Sequence, residues 1–92
     1  MHVVYLIQHS VTKMTYVGVT TDLKKRLKSH NEKRNASTNR KNGKWILIYA
    51  EAYRSRKDAF SRESKLKHHG SGKHELLKRL KYSLLETKSE AG

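Results

Sequence analysis

The sequence predicts an α+β domain: a three-stranded antiparallel sheet flanked by about three helices. Two observations carry the sheet. His2 to Gln8 and Met14 to Thr20 are rich in Val, Ile, Leu and Tyr and are separated by a short polar stretch, and Trp45 to Tyr53 repeats that composition. A third observation carries the helices: the second and third runs are each followed by helix-start residues, and Leu23 and Leu27, then Leu76, Leu77, Leu80 and Leu84, recur at three- or four-residue spacing. The 92 residues leave room for one small domain, expected over residues 1–86, with 87–92 as a polar tail.

In order, the turn His9 to Lys13 joins the first two runs into an antiparallel hairpin, with Tyr5 on one strand and Tyr16 on the other. Period-two alternation allows both tyrosines to face one side. Thr20 or Thr21 can cap the first helix, leaving Asp22 in its first turn, where the positive end of the helix dipole favours a carboxylate. Leu23 and Leu27 form a narrow apolar stripe on that helix, and Arg26 and His30, also one turn apart, share a neighbouring face. Asn35 to Gly43 is polar and basic and reads as a loop. Both faces of Trp45 to Tyr53 are largely apolar, which predicts that this strand is central and covered on both sides. Ser55, with Asp58 three residues on, starts a second helix to about His68 or His69, with Gly70 as a left-handed cap. Ser71 starts a third, whose Leu76, Leu77, Leu80 and Leu84 recur at helical spacing.

Composition narrows the function classes. No cysteine is present, so disulfides and thiolate metal sites are excluded. No apolar run approaches the ~18 residues of a membrane span, and the short stretch Val3 to Ile7 lacks the basic region that opens a secretory signal. A cytoplasmic protein without a membrane partner is expected. Against 8 Asp and Glu stand 21 Lys and Arg, a formal net charge of +13. Such a chain is drawn to polyanions because neutralising phosphates releases condensed counterions, so nucleic acid is the first partner class, ahead of membrane surfaces and ribosomes.

Glu63 is the residue whose position argues hardest for chemistry. It falls between Ala59 and Phe60 one turn before and Leu66 and Lys67 one turn after, so it borders the apolar side of its helix. A carboxylate there costs desolvation unless it has a partner. Arg26 in an ion pair and a divalent metal ion are equally good candidates on this reading. Taken singly, Tyr5 and Tyr16 read as an ordinary cross-strand pair, Arg26 as one basic residue among Lys24, Lys25 and Lys28, His30 as an exposed helix histidine and Gly18 as a strand end.

Taken in order, however, Val3-Val4-Tyr5, Tyr16-Val17-Gly18, Arg26, His30 and Glu63 resemble the motif series of the GIY-YIG nucleases, over roughly Val3 to Leu80, and most resemble their small stand-alone single-domain members. Val3 stands where the first namesake tripeptide has glycine, and Val4 and Val17 stand for its isoleucines. No residue from Ser71 to Tyr82 matches the late asparagine of many catalytic members. The resemblance implies the same three-stranded fold and a metal-dependent endonuclease that hydrolyses nucleic-acid phosphodiesters, DNA rather than RNA, with little intrinsic sequence specificity. It also implies work in DNA repair or recombination, and a protein partner or homodimer that supplies selectivity. Glu63 would hold one Mg²⁺ or Mn²⁺, with phosphate and water completing the shell. Tyr5 is assigned as the base and Tyr16 as a positioning hydroxyl, although a free tyrosine, with a pKa of ~10, needs cationic neighbours for that work. Arg26 would bind non-bridging oxygens of the scissile phosphate, and His30 would bond the phosphate or relay a proton.

Other signals are weaker. Gly70-Ser71-Gly72-Lys73 lacks the spacing of a phosphate loop and reads as a helix cap, with the amides of Ser71 and Lys73 free to touch a phosphate. His68 and His69, adjacent on a helix, point apart. Lys33, Arg34, Arg40, Lys41 and Lys44 are expected to form a basic loop along a nucleic-acid backbone, with Gly18 also on the binding face. Two other functions compete with the nuclease: a nucleic-acid-binding module of the same fold that does not cut, and a basic structural protein in which Tyr5, Tyr16, Arg26 and Glu63 do not cluster.

Overall fold

Eight residues, His2–His9, form β1, and the six from Val4 to His9 are buried. A strand buried on both faces belongs in the middle of a sheet. In the computed structural model, which describes residues 1–36, 43–68 and 70–86, β1 is flanked by β2 (Thr15–Thr20) and β3 (Trp45–Tyr53), in the order β2-β1-β3, both antiparallel to it. The expectation that Trp45 to Tyr53 is central is therefore corrected: β3 is an edge strand. Its run is apolar in composition, but Leu47 is 39% exposed and Ala50 and Ala52 are also open to solvent. Small and β-branched residues suit either position. Burial, which composition does not report, separates the two.

The turn between β1 and β2 is organised by His9, whose Nδ1 accepts from the amides of Val11 and Thr12 at 3.1 and 3.2 Å. Lys13 takes a left-handed φ of 67° to close it. Gln8, 4% exposed on β1, donates from Nε2 to the Lys13 carbonyl and accepts from the Leu85 amide at 2.7 Å, tying the end of the described chain to the hairpin.

Three helices follow: α1 (Leu23–Ala36), α2 (Arg56–His68) and α3 (Gly70–Arg79). Asp22, not Thr20 or Thr21, caps α1, because its Oδ1 accepts from the Lys25 amide at 3.1 Å. Thr20 acts one step earlier, its Oγ1 accepting from the Asp22 amide at 3.1 Å. Because α1 runs to Ala36, Lys33 and Arg34 belong to its last turns and not to a loop. Ser55 caps α2 as expected, accepting from the amides of Lys57 and Asp58. Gly70 opens α3, one residue earlier than expected. The helix stops at Arg79, so Leu80 and Leu84 lie in the turns beyond it, held by the Leu84 amide bonding the Leu80 carbonyl at 3.0 Å. Gly72 serves helix packing and not a phosphate loop: a Cβ there would sit 2.9 Å from the Lys65 carbonyl oxygen on α2.

Strand alternation sorts the sheet into two faces. Val4, Leu6 and Val17 pack with Ala59 and Leu66 of α2 and Leu76 of α3, the main core. Tyr5 points the other way, toward α1, where its hydroxyl meets His30. Asn31 fastens α1 to the start of β3, its Oδ1 accepting from the Trp45 amide at 2.8 Å.

Candidate active site

Tyr5 lies opposite Gly18 in the β1–β2 register, and Ile7 opposite Tyr16. The ring of Tyr5 lies across β2 at Gly18, where a Cβ would fall on the phenol hydroxyl and within 2.6 Å of its Cζ. Gly18 is thus needed inside the strand, which continues to Thr20, as the space Tyr5 occupies. That is a more specific role than ending a strand or meeting nucleic acid. With the space open, the Tyr5 and Tyr16 rings stack at 6.3 Å between centroids and 26° between planes.

From α1, His30 is placed against both tyrosines. Its Nε2 is 3.0 Å from the Tyr5 hydroxyl, which donates when Nε2 is unprotonated and accepts when it carries hydrogen. The same ring meets Tyr16 edge-on at 4.9 Å. Trp45 on β3 closes the cluster, 6.4 Å from Tyr16 and 6.3 Å from His30. Exposure separates the tyrosines: Tyr5 is 2% exposed and Tyr16 40%. The pKa of Tyr5 is pushed up to about 12, first by burial, then by Tyr16 and Glu63, against the opposing pull of Arg26. The charges of Arg26 and Glu63 therefore both act on this phenol.

Glu63 reaches the cluster through a partner that neither sequence-based candidate provided. The Lys67 ammonium, one helical turn on, is 3.3 Å from Glu63 Oε2 and lies over the Tyr16 ring at 5.5 Å from its centroid. Since α2 packs on the other face and β2 is an edge strand, this contact passes round the β2 edge. Lys67, Trp45 and Asn31 are site residues that sequence reasoning missed. The i, i+4 spacing of Glu63 and Lys67 was the available signal for the first.

Arg26 stands one turn before His30 and lines two neighbouring depressions at the start of α1. One, of 470 Å³, is bounded by Thr20, Thr21, Asp22, Lys25, Arg26 and Ser29. The other, of 250 Å³, adds His2, Val19, Arg56 and Phe60 to Thr20, Thr21 and Arg26. Both offer Arg26 to a ligand, while the tyrosines and Glu63 line neither.

Of the residues expected on the basic face, Lys44 is exposed, its backbone bonded to Ser10, and Lys73 is half-buried on α3. Arg40 and Lys41 lie outside the described residues, as do the side chains of Lys33, Arg34 and His68, and residue 69.

A family model for the GIY-YIG catalytic domain matches residues 1–75. The chain belongs to the GIY-YIG family. Its relatives include a UPF0213 protein of Streptococcus pneumoniae serotype 4, 40% identical over 52 residues that cover 56% of this chain and 52% of that protein. Another is a UPF0213 protein of Streptococcus pyogenes serotype M3, 42% identical over 57 residues, 62% of each. The chain thus spans between half and two thirds of the curated relatives it matches. Among solved structures it is similar to the solution NMR structure of a UPF0213 protein from Bacillus halodurans, at 32% identity and a TM-score of 0.53, covering 87% of this chain and 84% of that one. The family domain carries a nuclease-type fold, for which nucleic acid is the implied substrate and a divalent metal the usual cofactor.

Among the described residues no group of three or more His, Asp and Glu converges on a point, and none of their helices is long and apolar enough to cross a membrane. A divalent ion at Glu63 would therefore find no cage of three such protein ligands among the described residues. Mg²⁺ habitually binds through one or two carboxylates and fills its shell with substrate phosphate and water. A Glu63 side chain 22% exposed, with charged and phenolic neighbours, fits that habit.

Proposed function

We propose that this GIY-YIG domain is a metal-dependent endonuclease that hydrolyses nucleic-acid phosphodiesters, DNA in preference to RNA, with little sequence specificity of its own. One observation carries the proposal: the Tyr5 hydroxyl is bonded to His30 and its ring is stacked on Tyr16 while it feels the charges of Arg26 and Glu63, so four residues distant in sequence act on one phenol.

Arg26 binds the non-bridging oxygens of the scissile phosphate, entering from the depressions it lines, and its planar fork meets charge that grows in the transition state. At 2% exposure Tyr5 has little access to an attacking water, whereas Tyr16 is 40% exposed, which favours exchanging the tyrosine roles expected from sequence. Tyr16, with its ring half open to solvent, faces the attacking water. Tyr5 and His30 hold the stacked ring in place, and His30 accepts or passes on the proton that the water loses. A Mg²⁺ or Mn²⁺ at Glu63 would supply positive charge for the departing 3′ oxygen, consistent with 3′-hydroxyl and 5′-phosphate products.

Incubating the protein with branched, single-stranded and duplex DNA in Mg²⁺ or Mn²⁺ tests this. Cleavage above a Glu63→Ala control is expected, and its absence on every substrate rejects the nuclease. In that event strongly salt-dependent binding without metal dependence would favour the binding-module reading. A larger fall in kcat for Tyr16→Phe than for Tyr5→Phe is expected, and the reverse order restores Tyr5 as base.

A further inference from the structure

We infer that Lys67 is a built-in counter-ion for Glu63 that holds the carboxylate when nucleic acid is absent and gives it up when phosphate arrives, so that metal and nucleic acid load together. The inference rests on Glu63 being the metal-binding carboxylate of the proposed function.

Two independent contacts fix the ammonium. It is 3.3 Å from Glu63 Oε2 and lies over the Tyr16 ring at 5.5 Å. A surface lysine paired along its own helix has no need of an aromatic seat on another element, and an isolated pair of that kind contributes little. This ammonium instead lies between the carboxylate that would take a divalent cation and the tyrosine that would meet the substrate. A divalent ion at Glu63 must displace or repel it. The Glu63 carboxylate is thereby paired with a cation in the free protein. A phosphodiester held by Arg26 beside Tyr16 offers the ammonium a second anion. Moving Lys67 from carboxylate to phosphate frees Glu63 for the cation and adds a contact to the nucleic acid. By linkage, each ligand then raises affinity for the other by the same factor.

The test is a titration of Mn²⁺ into the full chain without nucleic acid, followed by the electron paramagnetic resonance signal of free Mn²⁺, with thermal melts to confirm folding. Lys67→Met should bind Mn²⁺ ~10-fold more tightly than the wild type, within the usual range of such couplings. Lys67→Arg should stay near the wild type, and Lys67→Met combined with Glu63→Gln should lose the gain. In a second arm, Mn²⁺ should tighten binding of a nuclease-resistant phosphorothioate hairpin to the wild type, and do so less for Lys67→Met. A Lys67→Met affinity within twofold of the wild type, or a Lys67→Arg affinity as high as that of Lys67→Met, overturns the inference. If that happens while Glu63→Gln abolishes binding, the counter-ion role alone fails. If Glu63→Gln binds Mn²⁺ as well as the wild type does, the metal reading of the proposed function fails with it.

Discussion

The sheet carries a tyrosine pair on each face, and the two pairs are finished in opposite ways. On the α2 face, Tyr49 and Tyr53 of β3 both donate to Glu51, Tyr49 at 2.6 Å, and Arg62 of α2 donates from Nε to both carboxylate oxygens at 3.1 and 3.3 Å. Burial alone would raise the pKa of Glu51, but the hydrogen bonds from Tyr49, Tyr53 and Arg62 outweigh it and hold the carboxyl below its ordinary value. That network is closed: the carboxylate's lone pairs are used within the protein. On the α1 face, Tyr5 and Tyr16 have a histidine in place of a carboxylate, Tyr16 remains open to solvent, and the nearby Glu63 is paired with Lys67, whose side chain is 38% exposed. A closed network stabilises a fold, whereas a site needs capacity left over for a ligand.

The largest expected effects separate the faces by activity. Glu63→Gln and Arg26→Ala should each lower cleavage by roughly a hundredfold or more with little change in melting temperature. Glu51→Ala should do the opposite. It leaves the Arg62 charge partly buried beside two unpaired phenols, at a cost of about 3 kcal/mol in denaturant unfolding, with activity per folded molecule retained. Activity lost with Glu51 at full stability would break the contrast.

Next in size is the fit of Tyr5 against Gly18. Gly18→Ala forces the ring to move and should cost about 1–3 kcal/mol. Because the hydroxyl is the first atom a Cβ meets, the double variant with Tyr5→Phe should be less destabilised than the two single costs combined, as a double-mutant cycle reads directly.

The smallest effects are in pH. Tyr5 and Tyr53 have folded-state pKa values of about 12 against 10.0 for the free side chain, Tyr53 mainly through its hydrogen bond to Glu51. The folded chain holds these protons more tightly, so their contribution to stability is complete below pH 10 and is lost as pH rises toward 12. Glu51 has the opposite sign. Its lowered pKa contributes stability above the ordinary value of 4.5, which is lost as pH falls through the folded-state value. Melting curves should show Tyr53→Phe flattening the alkaline limb and Glu51→Gln the acid limb.

Much of this was legible in the residues. Strand composition located the three strands, Ser55 announced α2, and the spacing of Tyr5, Tyr16, Arg26, His30 and Glu63 carried the family, because local propensity and residue order are properties of the chain itself. The central strand was misplaced because β1 and β3 have similar compositions, and only pairing decides which is covered twice. Asp22 took the capping role from the threonines because Thr20 was already bonding the amide of Asp22.

Composition and residue order alone call for a basic α+β domain with two tyrosines, an arginine, a histidine and a glutamate in the order of the GIY-YIG motifs. Tertiary structure decided which tyrosine is buried, that Gly18 makes room for it, and that Lys67 rather than Arg26 pairs with Glu63. The first two depend on distances between groups far apart along the chain; the third is a pairing within one helix turn that spacing permits, but only the packing of α2 keeps Arg26 out of it and seats Lys67 over Tyr16. Burial and charge act through space, so residue order alone does not choose among the partners it permits.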